Sequence, residues 1–403
     1  MRNLLFFTIA IAFFSCQNSD EQQSTKISML NAPSSGHAEV PRLTTSDKGE
    51  VYMSWIKQEG ESSKLKYAKL NGSSWGTPIL ISRGDNWFVN WADFPSLIVG
   101  EDYMAAHWLQ KRDAGTYDYD VRISTSKDGS NWTDSFIPHK DGISAEHGFV
   151  SMLPMENGQF FATWLDGRNT KSNGHDHADM EHAGAMTLRA GIFDLDGSTI
   201  KEWELDDRTC DCCQTAAAIV NGAPTVVYRD RSENEVRDIF STSLKEDVWT
   251  SPSPVGMDLW KIAGCPVNGP ALTFNGEQHA VAWYTAAGNT PKVKLALSDS
   301  KKSGFQAPII VAEGETLGRV GITSLSDGTF VVSWLMNNAE STGIMLSQYG
   351  KRGELLNQLT LAETSPGRAS GFPVITSKGK EVIAAWTIED EPSRIETAII
   401  EFN

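Results

Sequence analysis

The sequence repeats one short pattern seven times, and this repeat restricts the fold more than any other feature. Each copy has an alternating strand with an aromatic anchor near its end, as in "EVYMSWI" and "FVVSWLMN", and successive anchors are 51 to 64 residues apart. A Gly-containing turn precedes this strand, and two further short strands follow it. Four antiparallel strands in a repeat of this length are typical of a β-propeller blade. The anchors are Trp55, Trp108, Trp164, Tyr228, Trp283, Trp334 and Trp386.

We therefore predict an all-β chain that forms a single β-propeller of seven four-stranded blades. The seventh repeat ends at its third strand, "RIETAIIEF", so its fourth strand has to come from elsewhere. The segment "STKISML", at positions 24–30, can supply it. Pairing these two segments would close the ring and protect the outer strand edges. Six blades with an additional strand pair is the alternative.

The N-terminus has the pattern of an export signal. Arg2 precedes an apolar run that is too short to span a bilayer, and the small residue Ser15 precedes Cys16. This resembles a bacterial lipoprotein signal, which implies that residues 1–15 are removed and that Cys16 is lipidated. Residues 16–23 then form a polar tether, and the propeller occupies residues 24–403. We expect a lipoprotein of the outer membrane or cell surface.

The charge balance limits the possible partners. The chain has 51 acidic and 35 basic residues, and its formal net charge is −16. Nucleic acids and anionic lipids bind basic surfaces, so we expect neither as a partner, and we expect membrane contact only through the lipid anchor. The hydrophobic content of 40% suffices for one large core. We expect a monomer.

Turns after the third strands carry a family resemblance. The segments "STSKDGSNW" (124–132), "STSLKEDVW" (241–249) and "LSDSKKSGF" (297–305) resemble the Asp-box, or BNR, repeats of sialidase-like propellers. In such a repeat, Ser and Asp side chains satisfy backbone groups of a hairpin turn while an aromatic ring packs beneath. The resemblance covers essentially the whole chain after the signal peptide, and it implies a carbohydrate or anionic glycan as partner.

Sialidases of this family have six blades, an arginine triad that binds a carboxylate, a Tyr–Glu nucleophile pair and an Asp acid/base. This chain has seven repeats, and Arg42 in "VPRLTT" stands roughly where the first triad arginine would. The resemblance therefore implies a glycoside hydrolase of the exo-sialidase type.

Alignment of the repeats predicts which side chains face the central channel. The first strand of a blade lines the channel, and the loops on one face converge around it. Polar residues at this height are candidates for a ring of functional groups, and the alternative is that they satisfy loop backbone and each other. They are Arg42, Asp93, Glu146, His147, Cys213, Asn268, Arg319 and Arg368.

These positions divide into two arcs. Arg42, Arg319 and Arg368 come from neighbouring blades, and three guanidinium groups can clamp a carboxylate or sulfate. Asp93 and Glu146 lie on the opposite arc, where two carboxylates are the catalytic groups of a glycosidase, and Tyr284 can join them. His147 and Asn268 are further candidates for substrate binding.

Aromatic residues in "DNWFVNWADFP" are candidates for stacking on sugar rings. They are Trp87, Phe88 and Trp91, and ordinary packing between blades is the alternative that we favour.

Four cysteines are predicted to meet at one channel mouth. Cys210, Cys212 and Cys213 lead into the first strand of blade four, and Cys265 leads into that of blade five. Two disulfides are the expectation for an exported protein. The alternatives are free or redox-active thiols and a copper or zinc site. Imidazoles for such a metal site would come from the loop "NGHDHADMEHAG", through His175, His177 and His182.

Three functions remain open at this point. The first is an enzyme, a hydrolase or lyase, that acts on an anionic glycan. The second is a non-catalytic propeller that binds a glycan or protein. The third is a Cys/His metal-binding propeller.

Overall fold

The computed structural model describes residues 25–113, 115–170, 184–298, 304–338 and 341–402. These residues form a seven-bladed β-propeller of antiparallel sheets, as the repeat predicts. None of the helices within these ranges is long and apolar enough to cross a membrane. His175, His177, His182 and Cys16 lie outside the described residues.

The N-terminal strand closes the ring by joining the last blade. Strand β1 (Lys26–Leu30) pairs with β29 (Arg394–Glu401), so blade seven has the order β1-β29-β28-β27. The alternative of six blades is therefore wrong. Sequence-distant ends form one sheet, which leaves no open seam in the ring.

Blades one to three occupy the first half of the chain. Blade one adds a short β-ribbon to its four strands. Its strands are β2 (Ala38–Thr45), β3 (Val51–Glu59), β4 (Ser62–Asn71), β5 (Ser74–Trp75) and β6 (Ile79–Gly84). Those of blade two are β7 (Ser96–Val99), β8 (Met104–Lys111) and β9 (Tyr119–Ser126). Those of blade three are β10 (His147–Pro154), β11 (Gln159–Asp166), β12 (Met186–Asp194) and β13 (Thr199–Thr209), with a 3₁₀ turn at Glu156–Gly158.

Blades four to seven follow the same plan. Blade four contains β14 (Ala216–Val220), β15 (Ala223–Arg229), β16 (Ile239–Lys245), β17 (Val248–Trp249) and β18 (Ser253–Gly256). Blade five contains β19 (Ala271–Phe274), β20 (His279–Thr285), β21 (Lys292–Leu297) and β22 (Ile309–Glu313), with a 3₁₀ turn at Ala287–Asn289. Blade six contains β23 (Thr316–Ser324), β24 (Phe330–Asn337), β25 (Thr342–Tyr349) and β26 (Leu355–Thr364), and blade seven adds β27 (Val374–Lys378) and β28 (Glu381–Ile388).

Blade two lacks a regular fourth strand. Phe136 forms a single antiparallel bridge with Ile123, and no longer pairing follows in the described residues. Pro138 has no N–H to donate, and the N–H of Val121 instead donates to the imidazole of His139 at 3.3 Å. The imidazole of His139 thus accepts a backbone hydrogen bond that a fourth strand would accept in another blade.

The aromatic anchors fill the seams between blades. All seven are buried, and Trp164, Trp283 and Trp334 have no exposed surface. The hydrophobic clusters join neighbours, because Trp283 packs with residues of blade four and Trp334 with residues of blade five. The core is therefore distributed around the ring, and every blade is stabilised through both neighbours.

The turn at 126–132 is held by hydrogen bonds to its own side chains. Ser126 Oγ accepts the N–H of Gly129 at 2.9 Å, and Asp128 Oδ1 accepts two further backbone N–H groups. The ring of Trp132 packs edge-on against Tyr67 of blade one. This turn therefore anchors blade two to blade one.

Candidate active site at the channel mouth

The first strands of all seven blades line a central cavity of about 320 Å³. Several of these strands kink at the mouth through a residue with positive φ, between 48° and 53°, which is uncommon for side chains larger than Gly. The kinked residues are Val40, Phe149, Val267 and Arg319. At Phe149 and Arg319 the backbone N–H donates to the side chains of Asp93 and Asn268, and this links neighbouring blades at the mouth.

Tyr119, at the start of β9, joins the two carboxyl groups that the sequence predicts on this arc. Its hydroxyl lies 2.9 Å from Asp93 Oδ2 and 2.8 Å from Glu146 Oε1. Those two distances limit the separation of the carboxyl oxygens to about 5.7 Å. Retaining glycosidases place their two carboxyl groups about 5–5.5 Å apart and inverting ones about 6.5–9.5 Å. The limit for these two bonded oxygens is close to the spacing of a retaining pair.

Asp93 is a buried link between blades. Its Oδ1 accepts the backbone N–H of Phe149 at 2.7 Å, and the residue is only 2% exposed. A Cβ on Gly148 would overlap the Asp93 carboxyl, so Gly is required there. Because both oxygens are occupied by protein, Asp93 positions Tyr119 and is not placed to contact a substrate.

Asn268 has the same role three blades further on. Its Oδ1 accepts the N–H of the kinked residue Arg319 at 2.6 Å, and its amide donates to the carbonyls of Pro266 and Leu317. Asn268 is therefore a structural link rather than an exposed binding group.

Burial raises the pKa values of both carboxyl groups. It raises the pKa of Asp93 to about 7, although hydrogen bonds from Phe149 and Tyr119 oppose the rise. Burial raises the pKa of Glu146 to about 8, with a smaller contribution from the charge of Asp93, while the bond from Tyr119 opposes it. Tyr119 has one hydroxyl hydrogen, and it can donate this hydrogen to only one of the two carboxyl groups. The other carboxyl must therefore carry a proton, and Glu146 has the higher pKa.

The resulting arrangement is a short proton relay. Protonated Glu146 donates to the oxygen of Tyr119, and Tyr119 donates to Asp93. Glu146 is only partly buried, whereas Tyr119 is 1% exposed. Glu146 is thus the member that can exchange a proton with a bound molecule.

Tyr284 lies apart from this relay. Its ring packs edge-on against Trp260 at 5.7 Å and against the backbone of Gly318. Its carbonyl accepts a hydrogen bond from Arg229. The structure therefore does not bring Tyr284 together with Asp93 and Glu146.

The three arginines surround one aromatic cluster. The guanidinium of Arg42 lies 4.0 Å from the ring centre of Phe94, and those of Arg319 and Arg368 lie 4.8 Å and 6.0 Å from that of Trp91. Phe372 contacts both rings, at 5.8 Å from Trp91 and 5.7 Å from Phe94. The three arginines thus share one cation–π cluster.

Only two of these arginines have donors to spare. Arg319 donates to Ser370 Oγ and to the carbonyls of Gly371 and Pro366, so it supports blade seven. Arg42 lines the cavity, and its guanidinium has no hydrogen bond or ion pair within the described residues. Burial lowers the pKa of Arg42 to about 10, so it still carries its charge at neutral pH. Arg368 is exposed.

His147 belongs to a buried ionic network and not to the channel. Its Nδ1 donates to the carbonyl of Ala145 and its Nε2 donates to Asp141, each at 3.1 Å. Burial lowers the pKa of His147, but the hydrogen bonds to Asp141 and Asp166 outweigh burial and raise it to about 9. His147 is fully buried, so this arrangement does not offer it to a substrate.

The aromatic residues of the 85–95 segment pack mainly against protein. Trp87 stacks on Trp108 at 5.2 Å, and Phe88 stacks on Tyr119 at 4.2 Å. Phe88 therefore supports the relay tyrosine from one side. Trp91 is partly exposed beside the arginines, which leaves it available for a ligand.

The four cysteines meet at the boundary of blades four and five. The Sγ atoms of Cys210 and Cys213 are 2.6 Å apart, those of Cys210, Cys212 and Cys213 all lie within 4.8 Å of one another, and Cys265 lies near Cys212. All four thiols are free in the structure. Cys265 also makes a small contribution to the raised pKa of Glu146, so the thiols lie on the same side of the channel mouth as the relay.

The repeat alignment does not predict Tyr119. It places first strands and the loops around them at the channel, whereas Tyr119 begins a third strand and bonds to Asp93 and Glu146 from there. An aromatic residue next to Asp120, at the start of a strand in the blade that also carries Asp93, was the available signal.

Comparison with known proteins supports the fold at low sequence identity. The sequence matches no protein-family profile and no curated protein. A protein of unknown function from Dyadobacter fermentans DSM 18053 has a similar structure, with a TM-score of 0.53, 12% identity, and coverage of 94% of this chain and 99% of that one.

Two polysaccharide lyases are similar to the same degree. The lyase Uly1 has a TM-score of 0.53 and 8% identity over 89% of each chain. An ulvan lyase of family PL25 has a TM-score of 0.53 and 12% identity, over 91% of this chain and 92% of that one. These likenesses establish a shared propeller fold.

Proposed function

We propose that this protein is an enzyme that cleaves an anionic polysaccharide, with Glu146 as the group that transfers a proton to or from the substrate. The observation that carries the proposal is the hydroxyl of Tyr119 held between the carboxyls of Asp93 and Glu146 at the channel mouth. The proposal is also supported by the two polysaccharide lyases whose structures are similar to this one.

Glycosidic cleavage at neutral pH needs a proton donor whose pKa is close to the pH of the reaction. A carboxylic acid with a raised pKa can protonate the leaving oxygen, and this contributes about 10²–10⁴-fold to the rate. Glu146 has the raised pKa and the partial exposure that this role requires. A tyrosine bonded to a glutamate is also the pair that the sialidase resemblance implies.

The arginine and aromatic cluster would bind the anionic part of the substrate. Arg42 and Arg368 have unused donors, and a guanidinium binds carboxylate or sulfate in a bidentate manner. Trp91 beside them is partly exposed, and the part of its ring that Phe372 and the arginines leave open can contact a sugar. A uronate or sulfated sugar fits this combination of groups.

The direct test is turnover of a panel of uronate-containing, sulfated and sialylated polysaccharides by the purified chain. Appearance of unsaturated uronate products would identify a lyase. New reducing ends without unsaturated products would identify a hydrolase. We expect Glu146→Gln to lower kcat/KM by about 10²–10⁴-fold. The exposed Glu277→Gln is the matched control and should have full activity. Unchanged activity in Glu146→Gln would remove Glu146 from the mechanism.

A non-catalytic glycan-binding propeller is the second candidate, and the burial of Tyr119 and Asp93 favours it. In that case the arginine and aromatic cluster binds the same glycans, and the protein does not cleave them. Binding on a glycan array, with no turnover in any arm of the panel, would support this candidate over the enzyme.

We also propose that the protein is exported and anchored by lipid at Cys16. The apolar segment and the small residue before Cys16 support this. Cys16→Ser should release the protein from the membrane fraction of a bacterial host. Continued membrane association of that variant would contradict the anchor.

A further inference from the structure

Four thiols from two blades gather at one point of the channel mouth. The Sγ atoms of Cys210, Cys212 and Cys213 all lie within 4.8 Å of one another. Cys265, from the neighbouring blade, lies near Cys212 and outside this group of three. Thiolates with this clustering are ligands for soft cations, and Cys265 is the nearest fourth sulfur that could complete a tetrahedral shell.

Positive charge surrounds the sulfur atoms. Arg237 donates to Cys210 Sγ at 3.4 Å and also binds Glu235 at 2.8 Å. Arg229 is 2% exposed, and its guanidinium donates only to the carbonyls of Asn268, Arg237 and Tyr284. No carboxylate of the described residues forms an ion pair with Arg229.

Arg229 lies 5.0 Å from the ring centre of Trp260 and acts on the nearby Cys210 and Cys213, and a buried guanidinium without an ion pair is stabilised by an anion close to it. Two disulfides would turn all four sulfurs into neutral groups and remove that anion. Four thiolates around a cation of charge +1 or +2 retain a net negative charge. The surroundings of the sulfurs therefore favour metal-bound thiolates over disulfides.

We propose that Cys210, Cys212, Cys213 and Cys265 form a binding site for one thiophilic closed-shell cation, zinc(II) or copper(I). Cys265 is exposed and Cys212 is partly exposed, so the ion has a path from solvent. The bound ion would join blade four to blade five beside Glu146.

Two other clusters of acidic and imidazole groups do not compete with this site. In one, Nε2 of His139 accepts the N–H of Val121, which occupies its lone pair. In the other, both nitrogens of His147 donate, and Arg168 already neutralises Asp166 at 2.7 Å. Neither arrangement leaves an imidazole nitrogen free to bind a metal.

The test uses the full chain, purified under reducing and anaerobic conditions. Zn²⁺ or Cu⁺ is added in separate arms, the protein is desalted, and metal is measured by elemental analysis. We expect about one equivalent of one of these ions to remain per chain. Cys212→Ser and Cys265→Ser should each lower the affinity by at least about tenfold, and Arg237→Gln by about the same factor through loss of its bond to sulfur.

Cys16→Ser is the matched control, because Cys16 is the fifth cysteine and lies outside the cluster. It should retain the full equivalent. Cys265 is exposed, so Cys265→Ser should keep the circular dichroism spectrum of the wild-type chain, which separates metal loss from unfolding. Retention of neither ion by the folded reduced protein would overturn the proposal. So would equal retention by Cys265→Ser, or an intact mass showing two disulfides and no metal in protein from an oxidising compartment.

Discussion

The hydroxyl of Tyr119 lies 2.8 Å from Oε1 of Glu146, although the two residues belong to different blades. The hydroxyl can donate one hydrogen, and it also contacts Asp93. Glu146 is therefore kept protonated near neutral pH, at the open end of a relay whose other members are buried.

Removal of the Tyr119 hydroxyl should raise the pKa of Glu146. When Glu146 loses its proton, the hydroxyl of Tyr119 can turn and donate to the carboxylate, so Tyr119→Phe removes a bond to the ionised form that opposes the effect of burial. NMR titration of the Glu146 carboxyl should give a value above the wild-type pKa of about 8. Tyr284→Phe is the control and should leave the titration unchanged. A fall in the pKa would show that the bond from protonated Glu146 to Tyr119 outweighs the bond from Tyr119 to the ionised carboxyl.

Two replacements of Asp93 should show whether its hydrogen bond to Phe149 or its charge stabilises the contact between the blades. Asp93→Asn keeps an oxygen for the N–H of Phe149, as Asn268 does for Arg319, so the free energy of unfolding should change by less than about 1 kcal/mol. Asp93→Ala leaves that N–H unsatisfied and should cost about 1–3 kcal/mol. Denaturant unfolding measures both. Equal losses in the two variants would mean that the charge, not the hydrogen bond, is what stabilises this seam.

His147 should contribute a pH-dependent stabilisation. Its pKa is raised in the folded protein, so the folded state holds the proton more tightly than the unfolded state. The contribution is complete below about pH 6.5, the unfolded pKa, and is lost as the pH rises through about 9. The difference in melting temperature between wild type and His147→Gln should therefore shrink between pH 6.5 and pH 10. A difference that stays constant over that interval would show that the imidazolium charge does not stabilise the fold.

Arg42 should be dispensable for folding and necessary for anion binding. Its guanidinium lines the cavity and has no acceptor among the described residues, so Arg42→Met removes no hydrogen bond and keeps the packing on Phe94. We expect an unfolding free energy close to that of wild type. Binding of uronate or sulfated oligosaccharides, measured by calorimetry, should fall by at least about tenfold, since a charge-assisted bond contributes about 1.5–3 kcal/mol. Arg319→Met, by contrast, should destabilise the protein. Full binding by a folded Arg42→Met variant would rule out the channel arginine as an anion ligand.

The sequence alone determined the propeller, the seven blades and their closure by the N-terminal strand. Each of these depends on local patterns, because an aromatic anchor such as Trp334 recurs at a fixed distance and alternation marks the strands around it. It also predicted that Cys265 would reach the cysteines of blade four, since equivalent positions of adjacent blades are neighbours in a ring.

Only the tertiary structure decided what each of those positions does. Arg319 and Arg42 look alike in the repeat, yet the donors of one are taken up by carbonyls of blade seven and those of the other remain free. Asp93 and Glu146 also look alike, and Tyr119 and the N–H of Phe149 make one a buried link and the other a partly exposed acid. The physical reason is that the hydrogen-bond partners and the burial of each residue come from the next blade and from kinks in its backbone. The repeat pattern of a single blade contains no information about these contacts.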